Sequence, residues 1–153
     1  MAQSIADLTA IQEVVGRINQ LTEQSQRQWG SMSVNQMITH CADQIKICLE
    51  EKPAKLFGNS ITQAISRFLF FKVGIKFPKN ARTLPELDPN KNLMTKPDVF
   101  AKDRQELIAL VEKFLDLPKS RTFSHPLLGK ATKDEIGKLI YLHLDHHLRQ
   151  FGV

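Results

Sequence analysis

Cysteine is scarce in this chain: two thiols, Cys41 and Cys48, among 153 residues. That excludes a disulfide-stapled scaffold; Cys41, next to a histidine, could be a zinc ligand, but no CxxC-type spacing supports that reading over a small apolar core residue. The two thiols lie seven residues apart on one predicted helix, about 10 Å of rise, which exceeds the Cα reach of a disulfide. They are therefore expected to stay reduced and buried. Long apolar runs are also missing. None approaches the ~20 residues of a membrane span, so no membrane partner is expected. Met1–Asp7 lacks a charged segment followed by an apolar one, so no signal peptide is predicted and a cytoplasmic setting is expected. Basic residues outnumber acidic ones, 21 to 16, but they read as scattered and are not interleaved with aromatics. No nucleic-acid partner is expected. No stretch shows a convincing strand-like alternation.

Helical periodicity dominates instead. Ile5, Leu8, Ile11, Val15, Ile18 and Leu21 predict an amphipathic helix over about Ser4–Gln24, with Ser4 and Asp7 spaced as a capping box. Trp29-Gly30 reads as a turn. Ser33 with Gln36 is a second capping box, opening a helix that runs to about Glu51, before Lys52-Pro53. Ile61–Phe71 predicts a short Phe-rich helix broken by Gly74. Lys76–Lys96, punctuated by proline, reads as a long ordered loop. Val99–Leu115 predicts a further amphipathic helix ending before Pro118. Ser124–Gly129 reads as a turn. Thr132 and Glu135 cap a last helix reaching Phe151. The length fits one domain over residues 1–153. Four main helices, with the loop and short helix inserted between the second and third, predict an all-α antiparallel four-helix bundle.

The last helix carries the chemistry. With about 100° of rotation per residue, Ile136, Leu139, Ile140, Leu144 and Phe151 share one stripe. His143 and His147 point within about 20° of its centre, Gln150 about 40° away and His146 about 80° away. Asp145 faces the opposite way. Burying two imidazoles is costly unless each nitrogen finds a partner. Either a metal ion held at i and i+4, or carbonyls and water, would satisfy them. On the second helix, His40 lies on the flank of the apolar face, in a row with Gln36 and Gln44. Helical geometry alone favours a partly exposed histidine there. His125, before proline in a loop, reads as a surface or supporting residue.

Several phrases together carry a resemblance: Met37-x-x-His40; His143-x-x-x-His147-x-x-Gln150; Trp29-Gly30-Ser31-Met32-Ser33; and His125-Pro126 with Gly129. With His143–Gly152, they make the chain similar to one branch of the DinB/YfiT-like superfamily of metal-binding four-helix bundles. The resemblance implies three histidine ligands to one divalent ion, here His40, His143 and His147. Zinc or nickel come first, then iron or manganese. It also implies a small-molecule or thiol substrate, since characterised relatives include thiol S-transferases and others resemble hydrolases. Ile136 stands where the branch carries an aromatic residue, a change that touches packing.

Three imidazoles with open positions form a catalytic type of site. Gln44 and Gln150 are the expected partners for the rings' other nitrogens. Asp43 and Asp145 are both expected to project away from the core, which leaves no general base. Two functions remain: a metal-dependent transferase or hydrolase, or a non-catalytic metal- or ligand-binding protein. Phe68, Phe70 and Phe71, crowded on the short helix, suggest a homodimer.

Overall fold

The computed structural model describes residues 3–56, 58–79 and 83–153. Reciprocal caps start three of its helices. The Ser33 hydroxyl accepts the Gln36 N–H while the Gln36 side chain accepts from the Ser33 N–H, opening α2, Val34–Cys48. Thr132 and Glu135 do the same for the last helix, Lys133–Gln150. Asn59 and Thr62 cap α3, Ser60–Phe68, which continues as a π turn over Leu69–Val73. That turn stops at Gly74, whose φ of 76° suits a residue without Cβ. The first helix, α1, is shorter than its periodicity suggests, Leu8–Gln20, and Asp7 caps it without a side-chain bond. Ser4 is not a cap. It is buried, its hydroxyl accepting the Ala6 N–H and donating to the Asp134 carbonyl.

A short 3-10 turn, Pro85–Leu87, interrupts the long loop, and α4 runs Phe100–Asp116. The chain then departs from the all-α four-helix bundle that its periodicity predicts. Thr122–His125 (β1) and Gly129–Thr132 (β2) pair antiparallel, with Thr122 opposite Thr132 and His125 opposite Gly129. The described residues thus form a mixed fold of five α-helices and a two-stranded sheet. The reason the pattern misses the hairpin is its size. Burial does alternate in β1, with Phe123 and His125 inward, but over only four residues. Such a run is too short to outweigh the turn signals of Pro126 and Gly129, and Gly129 takes a left-handed φ of 66° at the hairpin's return. The last residue of β2, Thr132, is also the cap of the final helix, α5, so the hairpin feeds directly into it.

Both α1 and α2 pack on α4 and α5, and β1 touches α2 and α5. Ile18, Met37, Ile38, Phe114, Ile136 and Leu144 are fully buried between these elements. Gly137 lets the N-terminal segment close on α5. The Ile5 N–H donates to its carbonyl at 3.2 Å, and a Cβ there would lie 3.1 Å from the Ala6 nitrogen and 3.2 Å from the Phe114 ring. The adjacency of α2 and α5 is what matters for the site, because their side chains meet between them. No described helix is long and apolar enough to cross a membrane.

Candidate metal centre

His143 and His147 face inward from α5, one turn apart, as the stripe through Ile136 and Leu144 dictates. His40 reaches them from α2. Its flank position suggested exposure, yet it is only 3% exposed, because the long loop folds back over that flank. The three ring centroids lie 4.6–4.9 Å apart. One nitrogen from each ring falls within 4.8 Å of the other two.

The hydrogen bonds fix two of the three tautomers. Nδ1 of His40 lies 2.8 Å from the Leu87 carbonyl, which can only accept, so Nδ1 carries the proton and Nε2 a lone pair. On His147, Nδ1 lies 2.8 Å from Gln150 Oε1. The Gln150 amide is itself oriented, because its Nε2 donates to the Trp29 carbonyl at 2.8 Å. Oε1 must therefore accept from His147 Nδ1–H, leaving Nε2 of His147 as a second lone pair. His143 presents Nε2 at 3.1 Å from Nε2 of His40, while its own Nδ1 is buried without a partner among the described residues. A cation between the rings would allow all three lone pairs to converge.

Burial keeps these rings neutral. It lowers the His143 pKa well below the usual value, assisted by His147 and His40. It brings His147 down to about 3, with His40 adding to the effect. His40 is also lowered by burial, against the opposing pull of the Leu87 hydrogen bond and Asp43. Neutral imidazoles are the metal-binding form, so no proton competes for these nitrogens near neutral pH.

The triad lines a cleft of about 810 Å³, whose wall includes Trp29, Gln44, Phe77, Leu87, Asp88 and His125. The Phe77 ring stands edge-on to His143, centroids 5.7 Å apart. His146 is half-buried on the flank of α5, 5.9 Å from the Trp29 ring, and stands outside the triad. Gln150 supports His147 as expected from its spacing. Gln44 does not support a histidine: its amide nitrogen lies 3.2 Å from Cys48 Sγ, and its Oε1 is buried without a partner among the described residues. Cys41 and Cys48 are both free and buried. Two supporting groups escaped the sequence reading, the carbonyls of Leu87 and Trp29. Main-chain acceptors carry no residue signature, and only Pro85 and the Trp29-Gly30 turn hinted at ordered backbone there.

Asp43 also departs from expectation. It is fully buried, accepting from Thr95 N–H and Oγ1 at 2.7 Å each and from Lys52 Nζ at 2.6 Å. Asp145 pairs with Arg17 at 3.0 Å and with Arg149, so it is a half-buried tie between α1 and α5.

His125 is buried rather than at the surface, and its Nδ1 accepts the Leu127 N–H at 3.2 Å. Burial lowers its pKa to about 4 from an ordinary 6.5. A depressed pKa means that the folded state resists protonation. The stabilisation is full above pH 6.5 and is lost as pH falls toward 4. The pKa difference corresponds to at most about 3 kcal/mol. Urea unfolding of metal-free protein across this window should show stability falling with acid, with a shallower slope in His125→Asn. An unchanged slope in that variant would contradict this role.

The family described as "Protein of unknown function (DUF1569)" matches residues 3–152, and the chain belongs to that family. Comparison with curated proteins and with solved structures finds no match.

Proposed function

We propose that His40, His143 and His147 bind one divalent metal ion at the inner end of the cleft. In this reading the protein is a metal-dependent enzyme acting on a small molecule, a thiol S-transferase or a hydrolase. The observation that carries it is the pair of fixed tautomers. Leu87 and Gln150 each hold a ring with its free nitrogen turned toward the same point, which is how outer partners orient metal-binding histidines. Zinc and nickel suit three imidazoles best, with iron or manganese next. Kinship with the DinB/YfiT-like metal-binding proteins is part of this reading, and rests on the phrases around His40, His125 and His143–Gly152.

When bound, such an ion supplies Lewis acidity, which makes a coordinated thiol or water a nucleophile near neutral pH. The chain's own residues provide the rest. Trp29 Nε1, Gln44 Oε1 and His143 Nδ1 are buried, have no hydrogen-bond partner among the described residues, and belong to residues in the wall of one cleft. Unsatisfied polar atoms in one place favour a polar ligand over an apolar one. Trp29 would donate to it and Gln44 would accept from it, while Phe77 and Leu87 exclude water. Asp88 is a carboxylate of the cleft wall, its Oδ1 accepting the Asn90 N–H at 2.9 Å. A non-catalytic metal store would be served by a closed site, whereas these histidines line an open cleft. Cytoplasmic residence fits two free, buried thiols.

The test is elemental analysis of purified protein, titration of metal-stripped protein with zinc and nickel, and a screen for thiol conjugation and ester or amide hydrolysis. One ion per chain, and turnover lost on chelation and restored by metal, are expected. Protein that neither carries nor takes up a divalent ion would overturn the metal site, and loaded protein inactive throughout would overturn the enzyme.

A further inference from the structure

Helix α3 is mounted inside out. Its polar residues face the protein: Gln63 donates to the Pro126 carbonyl at 3.4 Å, and Arg67 bonds Glu135 at 2.7 Å and the Lys130 carbonyl. Its apolar residues face outward. Ile61, Ile65 and Phe68, at helical spacing, are 68%, 53% and 59% exposed, and no residue of α3 is buried. Val73 and Leu56, at either end, are as open. The hydrophobic effect alone would turn this helix over.

The charge around it is one-sided. From Lys52 to Lys79 the chain carries Lys52, Lys55, Arg67, Lys72, Lys76 and Lys79 and no Asp or Glu. The net charge of the whole chain is +5, so this segment accounts for all of it and the remainder is slightly acidic. Most of the chain's basic residues still lie elsewhere; what sets this segment apart is its lack of acidic residues, and within it Lys52 pairs with Asp43 and Arg67 with Glu135. Lys55, Lys72 and Lys76, which flank α3 in the chain, are all exposed, whereas Lys79 lies over the Trp29 ring.

We propose that α3 and its flanking lysines form a docking face for an anionic lipid bilayer. An apolar stripe bordered by lysines is the pattern of an interfacial helix, in which side chains enter the acyl boundary and ammonium groups meet anionic headgroups. The same charge opposes the homodimer suggested by the crowded phenylalanines. A two-fold contact through this face would bring identical lysines together, and of the three rings Phe70 is buried and Phe71 half-buried, leaving Phe68 outside. Nucleic acid would satisfy the lysines but leave Ile61, Ile65 and Phe68 in water. That no described helix is long and apolar enough to cross a membrane does not bear on docking at its surface.

Sedimentation of the full chain with vesicles tests this. Binding is expected to vesicles of phosphatidylcholine mixed with phosphatidylserine, to be weak to phosphatidylcholine alone, and to fall with added salt. Ile65→Ser with Phe68→Ser should weaken it about tenfold or more. Lys72→Glu with Lys76→Glu should do likewise, and both variants should keep the wild-type circular dichroism because the changed side chains are exposed. No binding by the wild type, or equal binding by the serine variant, would overturn the proposal. So would a dimer that the serine variant abolishes, or single-stranded DNA bound more tightly than the mixed vesicles.

Discussion

His147→Ala should lower affinity for zinc or nickel by about a hundredfold or more, and His143→Ala and His40→Ala should do the same. Losing an outer partner alone typically weakens a site ten- to a hundredfold. Losing one of three protein donors removes more than that, since the remaining pair offers only two imidazoles. Gln150→Ala falls in the smaller class. It frees the His147 ring to rotate and leaves the Trp29 carbonyl without its amide donor. His146→Ala should leave affinity within about threefold, because its ring lies on the flank of α5 outside the triad. Titration of the metal-stripped variants reads these differences directly. A His146 variant that lost the ion while the His147 variant kept it would reverse the assignment. An ion held by this triad would also tie α2 to α5, so chelation should lower the melting temperature. At a free-ion concentration about a hundred times Kd the linkage is about 2.7 kcal/mol. In a chain of this length that corresponds to roughly 5–10 °C.

The α5 half of this site is legible from residue order alone, and the α2 half is not. Rotation about a helix places His143, His147 and Gln150 on the stripe of Ile136 and Leu144, and His146 off it. The capping boxes at Ser33 and Thr132 fix where those helices begin, so the faces can be read with little error. His40 and Asp43 lie off the main apolar face of α2, where periodicity reports only that the principal core is elsewhere. What buries them is the loop through Leu87 and Thr95, about 50 residues away along the chain. No local pattern encodes such a contact. Only the family resemblance brought His40 into the triad at the sequence level, and the resemblance's bundle fold left no place for the hairpin. That hairpin illustrates the same limit from the other side. Its strands hold together through backbone pairing and contacts with α2 and α5, which override the weak preference of Thr122–His125 and Gly129–Thr132.

Asp43→Ala should destabilise the protein by about 3 kcal/mol and loosen the proposed metal site together with it. The carboxylate is fully buried and holds three donors: the Thr95 N–H, the Thr95 hydroxyl and the Lys52 ammonium. Removing it leaves two of these without an acceptor. Lys52 retains the Leu93 carbonyl at 2.7 Å and is partly exposed, which moderates its share of the loss. In a chain of this length the change should lower the melting temperature by roughly 6–12 °C. Asp43→Asn should cost less, since its amide oxygen can still accept from Thr95. The effect on the site follows from where the tie sits. Asp43 lies one turn beyond His40 on α2, and it anchors the far end of the loop whose near end supplies the Leu87 carbonyl to His40. Once Thr95 is released, that carbonyl has less to hold it against the ring, and zinc affinity should fall about tenfold, the scale of a weakened outer partner. Thermal melting and metal titration of both variants separate the two effects. An Asp43→Ala protein that melts with the wild type would show that the buried carboxylate does not secure the loop. One that melts early but binds zinc unchanged would show that the loop holds Leu87 by other means.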